Sequence, residues 1–183
     1  MRWEALFTDL DAQAEALERA ERAAEVDERA RLDLGALGLL ERLRPALGTA
    51  VRLQCAGSVV VSGVLRRVGP DWLLLDEGAG REVLVTLRAV QGVSGLSRLS
   101  AAPESMPIVE SRLGLSHVLR GVARDRSPVR ICRSDGSVLD ATIDRVGADF
   151  LEAAVHPAGE PRRRSEVREV ILIPHSAVVA VWR

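Results

Sequence analysis

The chain has 183 residues, with 25 basic and 26 acidic side chains and a formal charge of −1. That length suits one large domain or two small ones, and the balanced charge excludes a uniformly basic polyanion binder. Hydrophobic residues make up 47% of the chain but only 3% are aromatic, so Val, Leu and Ala must fill the core.

Residues 3–33 read as a long helix. Trp3, Leu6, Phe7, Leu10, Ala14 and Leu17 recur at helical spacing. Glu15–Arg19, Glu18–Arg22, Glu25–Arg29 and Asp27–Arg31 are acid-then-base pairs in the favourable i,i+4 orientation. The stripe Trp3, Leu6, Phe7, Leu10 and Leu17 is the candidate surface for a protein partner or for self-association. Gly35 and Gly38 break the helix. A short helix through Leu39, Leu40, Leu43 and Leu47 follows, with Pro45 marking a kink.

Five strand-like runs come next: Val51–Leu53, Val59–Val68, Trp72–Asp76, Glu82–Thr86 and Ala89–Val93. Gly57 and Gly78-Ala79-Gly80 supply turns, and Gly63 suggests a bulge or tight bend inside the second run. Ser97 to Pro107 reads as a linker. Ser111 is placed to cap a second short helix carrying Leu115, Val118, Leu119 and Val122, and a second set of runs covers Val129 to Trp182.

The second set repeats the first. Val51-Arg52-Leu53 returns as Val129-Arg130-Ile131, and Val68-Gly69-Pro70-Asp71-Trp72-Leu73 as Val146-Gly147-Ala148-Asp149-Phe150-Leu151, both 78 positions on. By Val85 and Ile173 the offset is 88, so the added residues lie in a longer hairpin between Ala153 and Glu169, which carries Arg162-Arg163-Arg164. A fixed-period repeat sets the organisation of a chain before any motif is read. The expected fold is α+β and mainly β: two five-stranded small barrels, each preceded by a short helix, plus the long N-terminal helix. The expected segments are 1–36 for that helix, 37–98 for the first repeat, 99–110 for a linker and 111–183 for the second repeat.

A short helix, then five strands with Gly63 in the second and Asp71 opening the third, resembles the Sm-like fold, in particular its Hfq-type pattern, and related SH3-like barrels. The resemblance implies small barrels. It does not carry uridine binding across. Sm proteins use an Asn after the strand-three Asp, and this chain has no Asn. Leu87-Arg88 and His175-Ser176 stand where an Arg-Gly or Lys-Gly pair would fall, and the Hfq-type Tyr-Lys-His signature has no Tyr or Lys here. The opening Met1–Phe7 resembles uncharacterised actinobacterial proteins. A chain without Lys, Asn or Tyr and rich in Ala, Arg, Gly and Leu also suggests a GC-rich, bacterial coding sequence.

Chemistry is sparse. His117, His156 and His175 show no metal-ligand spacing, and Cys55 and Cys132 read as small buried hydrophobes. Asp71 and Asp149 look paired, but each is expected to bond backbone amides in its own turn. No metal, cofactor or enzymatic activity is expected.

Charge has the one functional slope. Residues 1–33 carry ten acids and five arginines. The two helix-to-strand junctions are basic, through Arg42, Arg44 and Arg52 in the first copy and Arg112, Arg120, Arg124, Arg126, Arg130 and Arg133 in the second. These arginines are the candidate polyanion-binding residues, and the acidic N-terminal segment is a candidate shield for them. The expected function is a non-catalytic interaction or adaptor protein; the alternative is an RNA- or DNA-binding regulator. The expected compartment is the cytoplasm, because the N-terminus lacks a signal-peptide pattern and no apolar stretch reaches membrane-spanning length.

Overall fold

The computed structural model describes residues 35, 37–97, 113–157 and 167–183. The chain divides into two compact units, Met1–Gly38 and Leu39–Arg183, and the strands of the described residues all lie in the second. The long helix expected over 3–33 falls outside the described residues, as do the stripe Trp3, Leu6, Phe7, Leu10 and Leu17, and Arg112.

The first repeat opens with helix α1 (Leu39–Leu43) and a 3-10 turn at Arg44–Ala46. Pro45 lies in the first positions of that turn, where its missing N–H is no loss. Strands β1 (Ala50–Cys55), β2 (Val59–Val68), β3 (Trp72–Gly78), β4 (Arg81–Thr86) and β5 (Val90–Ser94) follow. In the second repeat, helix α2 (Leu115–Asp125) precedes β6 (Pro128–Arg133), β7 (Val138–Val146), β8 (Phe150–Val155), β9 (Glu169–Pro174) and β10 (Val178–Trp182).

Period-two burial marks β1 as a half-buried strand, whereas β4 and β10 at the junction are continuously buried. In β1, Val51, Leu53 and Cys55 point inward while Ala50, Arg52 and Gln54 face water. The repeat also extends to irregularities. The β2–β3 ladder slips between Leu65 and Arg67, and the β7–β8 ladder slips between Ile143 and Arg145, 78 positions on. Against β1, β5 skips Gln91; against β6, β10 skips Val179. Such bulges bend long strands, and here both repeats bend at the same places. Gly63 is not one of them. A Cβ there would lie 2.5 Å from the Asp76 carbonyl oxygen, so its role is close backbone approach.

The shared Val-Gly-x-Asp-aromatic motif has a physical reading. A Cβ on Gly69 or Gly147 would collide with the ring of Trp72 or Phe150 three residues later. In each copy the glycine N–H donates to the aromatic residue's carbonyl at 2.8 Å. The Asp71 carbonyl accepts from Leu87 N–H at 2.9 Å, and the Asp149 carbonyl accepts from His175 N–H at 2.7 Å.

The expectation of two separate barrels is overturned. The ten strands of the described residues form one antiparallel sheet in the order β5-β1-β2-β3-β4-β10-β6-β7-β8-β9. A closed first barrel would need β4 to pair with its own repeat's β5. Instead β4 pairs with β10, through Val83↔Trp182, Leu84↔Val181 and Val85↔Ala180. The two cores exchange side chains across this seam. Cys132, Val179 and Ala180 join the first repeat's cluster, while Trp72 and Leu84 join the second repeat's cluster of Leu115, Leu119, Val129 and Val181. Thr86 Oγ1 donates to the Val178 carbonyl at 2.7 Å, adding a buried bond across the seam.

Candidate site between the repeats

Asp71 and Asp149 do not stay apart as expected. The seam brings both to one cavity of about 240 Å³, which is also lined by Arg88, Leu115, Ser116, Ala148, Pro174, His175 and Ser176. Asp71 ends the β2–β3 turn and points at the start of α2. Its Oδ1 accepts the Leu115 N–H at 2.8 Å, and the N-cap residue is Gly114 rather than Ser111. An acidic side chain from a distant turn thus does for α2 what Gly114 has no side chain to do. Trp72 fastens the same corner: its indole N–H donates to the Leu113 carbonyl at 2.6 Å.

His175 is buried in this corner and Arg88 is exposed beside it. Ser116 Oγ donates to the Ala148 carbonyl at 3.2 Å and lies 3.4 Å from His175 Nδ1. His175 Nε2 has no hydrogen-bond partner among the described residues. Burial pushes the imidazole below the usual histidine range, while the Asp149 and Asp71 charges act in the opposite sense.

A second, larger groove of about 440 Å³ is lined by Glu77, Arg81, Pro128, Val129, Arg130, Asp140, His156, Trp182 and Arg183. His156 is a structural residue there. Its Nδ1 donates to the Pro157 carbonyl at 3.0 Å and its Nε2 accepts from the buried Thr142 hydroxyl at 2.9 Å. Cys55 and Cys132 are free thiols in the core. Burial raises the Cys55 pKa to about 11 and raises that of Cys132. Among the described residues no group of side chains is arranged to hold a metal ion, and no helix is long and apolar enough to cross a membrane.

The candidate polyanion-binding arginines do not converge on either cavity as a set. Arg130 alone lines one, and it is paired with Asp140 at 3.0 Å. Arg133 is bonded to Ser137 at 2.7 Å and lies 3.5 Å from Asp135. Arg44 faces Glu41 at 3.5 Å. Arg42 donates to the Ser97 carbonyl at 2.8 Å and Arg120 to the Gly147 carbonyl at 3.3 Å. Arg52, Arg124 and Arg126 are exposed. The cavity residues His175, Ser116 and Arg88 were not singled out as a site in the sequence, because the strand pairing that gathers them leaves no mark in spacing. No family model matches this chain and no curated protein matches it, so the Sm-like resemblance stands on its quoted residues alone.

Proposed function

We propose that the protein is a non-catalytic interaction protein that binds through the edges of its sheet. The observation that carries this reading is β9, an edge strand whose Val170 and Leu172 are exposed. Edge strands are usually blunted by charge, proline or cover. Here Glu169 and Pro174 guard the two ends of β9, and the middle is apolar. An extended apolar edge takes partners by strand addition, with the backbone giving affinity and alternate side chains giving selectivity. The polar groups around the inter-repeat cavity support the non-catalytic part, because Asp71 caps a helix and Ser116 bonds a carbonyl.

The test is quantitative co-purification from the native host with wild type and Leu172→Asp. The variant should keep its melting temperature and lose wild-type partners. An unchanged partner set refutes the reading.

One observation favours a second reading, nucleic-acid binding. The larger groove places Trp182 among Arg81, Arg130 and Arg183, an aromatic face for a base beside guanidinium groups for phosphate. Against it, Arg130 is held by Asp140 and Arg183 by Asp125 at 2.9 Å. Retention of single-stranded RNA that falls with added salt and is lost in Arg81→Glu would support it; no retention at low salt refutes it.

A further inference from the structure

The two cysteines come from different copies but face one core. By the 78-position offset Cys132 corresponds to Gln54 and Cys55 to Arg133, so the repeat alone does not pair the thiols. Gln54 is exposed on β1, whereas Cys132 is 1% exposed on β6. The difference comes from the seam. Successive side chains of a strand point to opposite faces, and β6 lies inside the sheet. Ile131 therefore packs in the second repeat's cluster, and Cys132 packs in the first repeat's cluster, where Cys55 also lies.

The segments that carry the thiols also touch. β1 ends at Cys55 and the chain turns through Gly57; β6 carries Cys132 and the chain turns through Gly136. A Cβ on Gly57 would lie 2.7 Å from the Gly136 nitrogen and 3.2 Å from the Arg133 carbonyl oxygen. A Cβ on Gly136 would lie 3.1 Å from the Gly57 carbonyl oxygen. The two turns are thus in backbone contact. That contact reaches Gly57, two residues after Cys55, and Arg133, the residue after Cys132. The Cys55 thiol is pushed up to about 11, by burial first and by the Cys132 sulfur second, so each thiol lies within electrostatic reach of the other.

We propose that Cys55 and Cys132 are a redox pair, which oxidation joins in a disulfide tying β1 of the first repeat to β6 of the second. Reduced, the repeats are held together at this place by packing alone. Oxidised, they cannot part there without breaking a covalent bond. The redox state at folding thus sets how firmly the two repeats are coupled, whatever the sheet edges bind.

The oxidant is a low-molecular-weight disulfide. One cysteine thiolate attacks a sulfur of that disulfide, forms a mixed disulfide and releases one small thiol; the second cysteine attacks the mixed disulfide and releases the other. The two cysteines lose two protons and two electrons, and the small disulfide takes them up as two thiols. In the folded chain Cys55 is 2% exposed and Cys132 1%, and burial holds both thiols above their ordinary range, so few thiolates meet the oxidant there. Exchange therefore runs on the folding or opened chain, and the closed seam then protects the product.

The experiment uses the full chain, reduced and unfolded in urea, then refolded in glutathione buffers from fully reduced to mostly oxidised. Free thiols are titrated in urea, intact mass is measured, and proteolytic mapping locates any bond. Oxidised buffers should take a monomeric chain from two free thiols to none, with Cys55 joined to Cys132 and two hydrogens lost. The urea midpoint should rise by about 1 M or more over the reduced protein, because the bond closes a long loop, and dithiothreitol should reverse the rise. Cys55→Ala and Cys132→Ala should each keep one free thiol and show the same midpoint in every buffer. Cys55→Ser and Cys132→Ser serve if either cavity disturbs folding, and the wild-type comparison stands without them. Two free thiols in the folded monomer at every buffer ratio overturn the proposal. A bond found only between chains also overturns it, as does an internal bond that lowers the midpoint, since the native seam would then hold the sulfurs apart.

Discussion

The substitution Leu84→Ala, compared with Leu172→Ala, measures the seam directly. The two leucines occupy the same position in their repeats, β4 and β9, and are paired identically with Leu74 and Glu152 on the neighbouring strand. Leu84 is 5% exposed and packs with Leu115, Leu119 and Val181 of the other repeat, whereas Leu172 faces solvent. Truncating a buried leucine costs about 2–5 kcal/mol, the transfer term plus the cavity left behind. Leu84 already borders a cavity of about 160 Å³ with Val118, Val122 and Val129, so its neighbours are incompletely closed around it. That places the expected loss toward the lower end, about 2–3 kcal/mol. Leu172→Ala should stay within about 0.5 kcal/mol in dilute protein. Urea unfolding followed by tryptophan fluorescence reads the difference. With a slope of about 1–3 kcal/mol per molar urea, the Leu84→Ala midpoint should fall by about 1 M or more with the slope unchanged. A Leu84→Ala midpoint within error of Leu172→Ala would refute the inter-repeat packing. A split into two transitions would show instead that the repeats unfold independently.

Asp71→Ala should cost about 1 kcal/mol in thermal unfolding through loss of the α2 cap, whereas Asp149→Ala should be near neutral; equal effects would contradict the capping assignment. His175 has a folded pKa below its unfolded value of about 6.5, so the unfolded chain takes up its proton first as pH falls. Stability should therefore be fully present above about pH 7 and decline as pH drops through the usual histidine range, and His175→Gln should flatten that decline in urea midpoints measured at several pH values. Cys55 and Cys132 should resist alkylation in the native protein at pH 8 and react together once urea unfolds it, because burial raises both thiols above their ordinary range; rapid native labelling would show that the core around them opens.

The local level was legible from the residues themselves. Alternation in Val51-Arg52-Leu53, glycine at Gly78 and Gly80, and the Leu39-Leu40-Leu43 stripe report conformations decided within a few residues of each other, so strands, turns and short helices fall where they were expected. The repeat was legible too, because the ring that lies against Gly69 or Gly147 comes from three residues downstream. What these patterns do not encode is which edge of a strand meets which other edge. Val83-Leu84-Val85 is equally suited to pair with Val90–Ser94 or with Val178–Trp182, and alternation reads the same in a closed barrel and in an open sheet. That choice turns on distant contacts: Leu84 and Trp72 entering the other repeat's core, and Thr86 reaching the Val178 carbonyl. The candidate site inherits the same dependence. Asp71, Ser116 and His175 come from three separate parts of the chain; the β4–β10 pairing brings Asp71 to the α2 cap, and packing within the second repeat sets Ser116 beside His175. Sequence by itself determined the elements and their duplication, because both are local. Tertiary structure decided the sheet, its strand order and the site, because these arise from which hydrophobic surfaces bury one another.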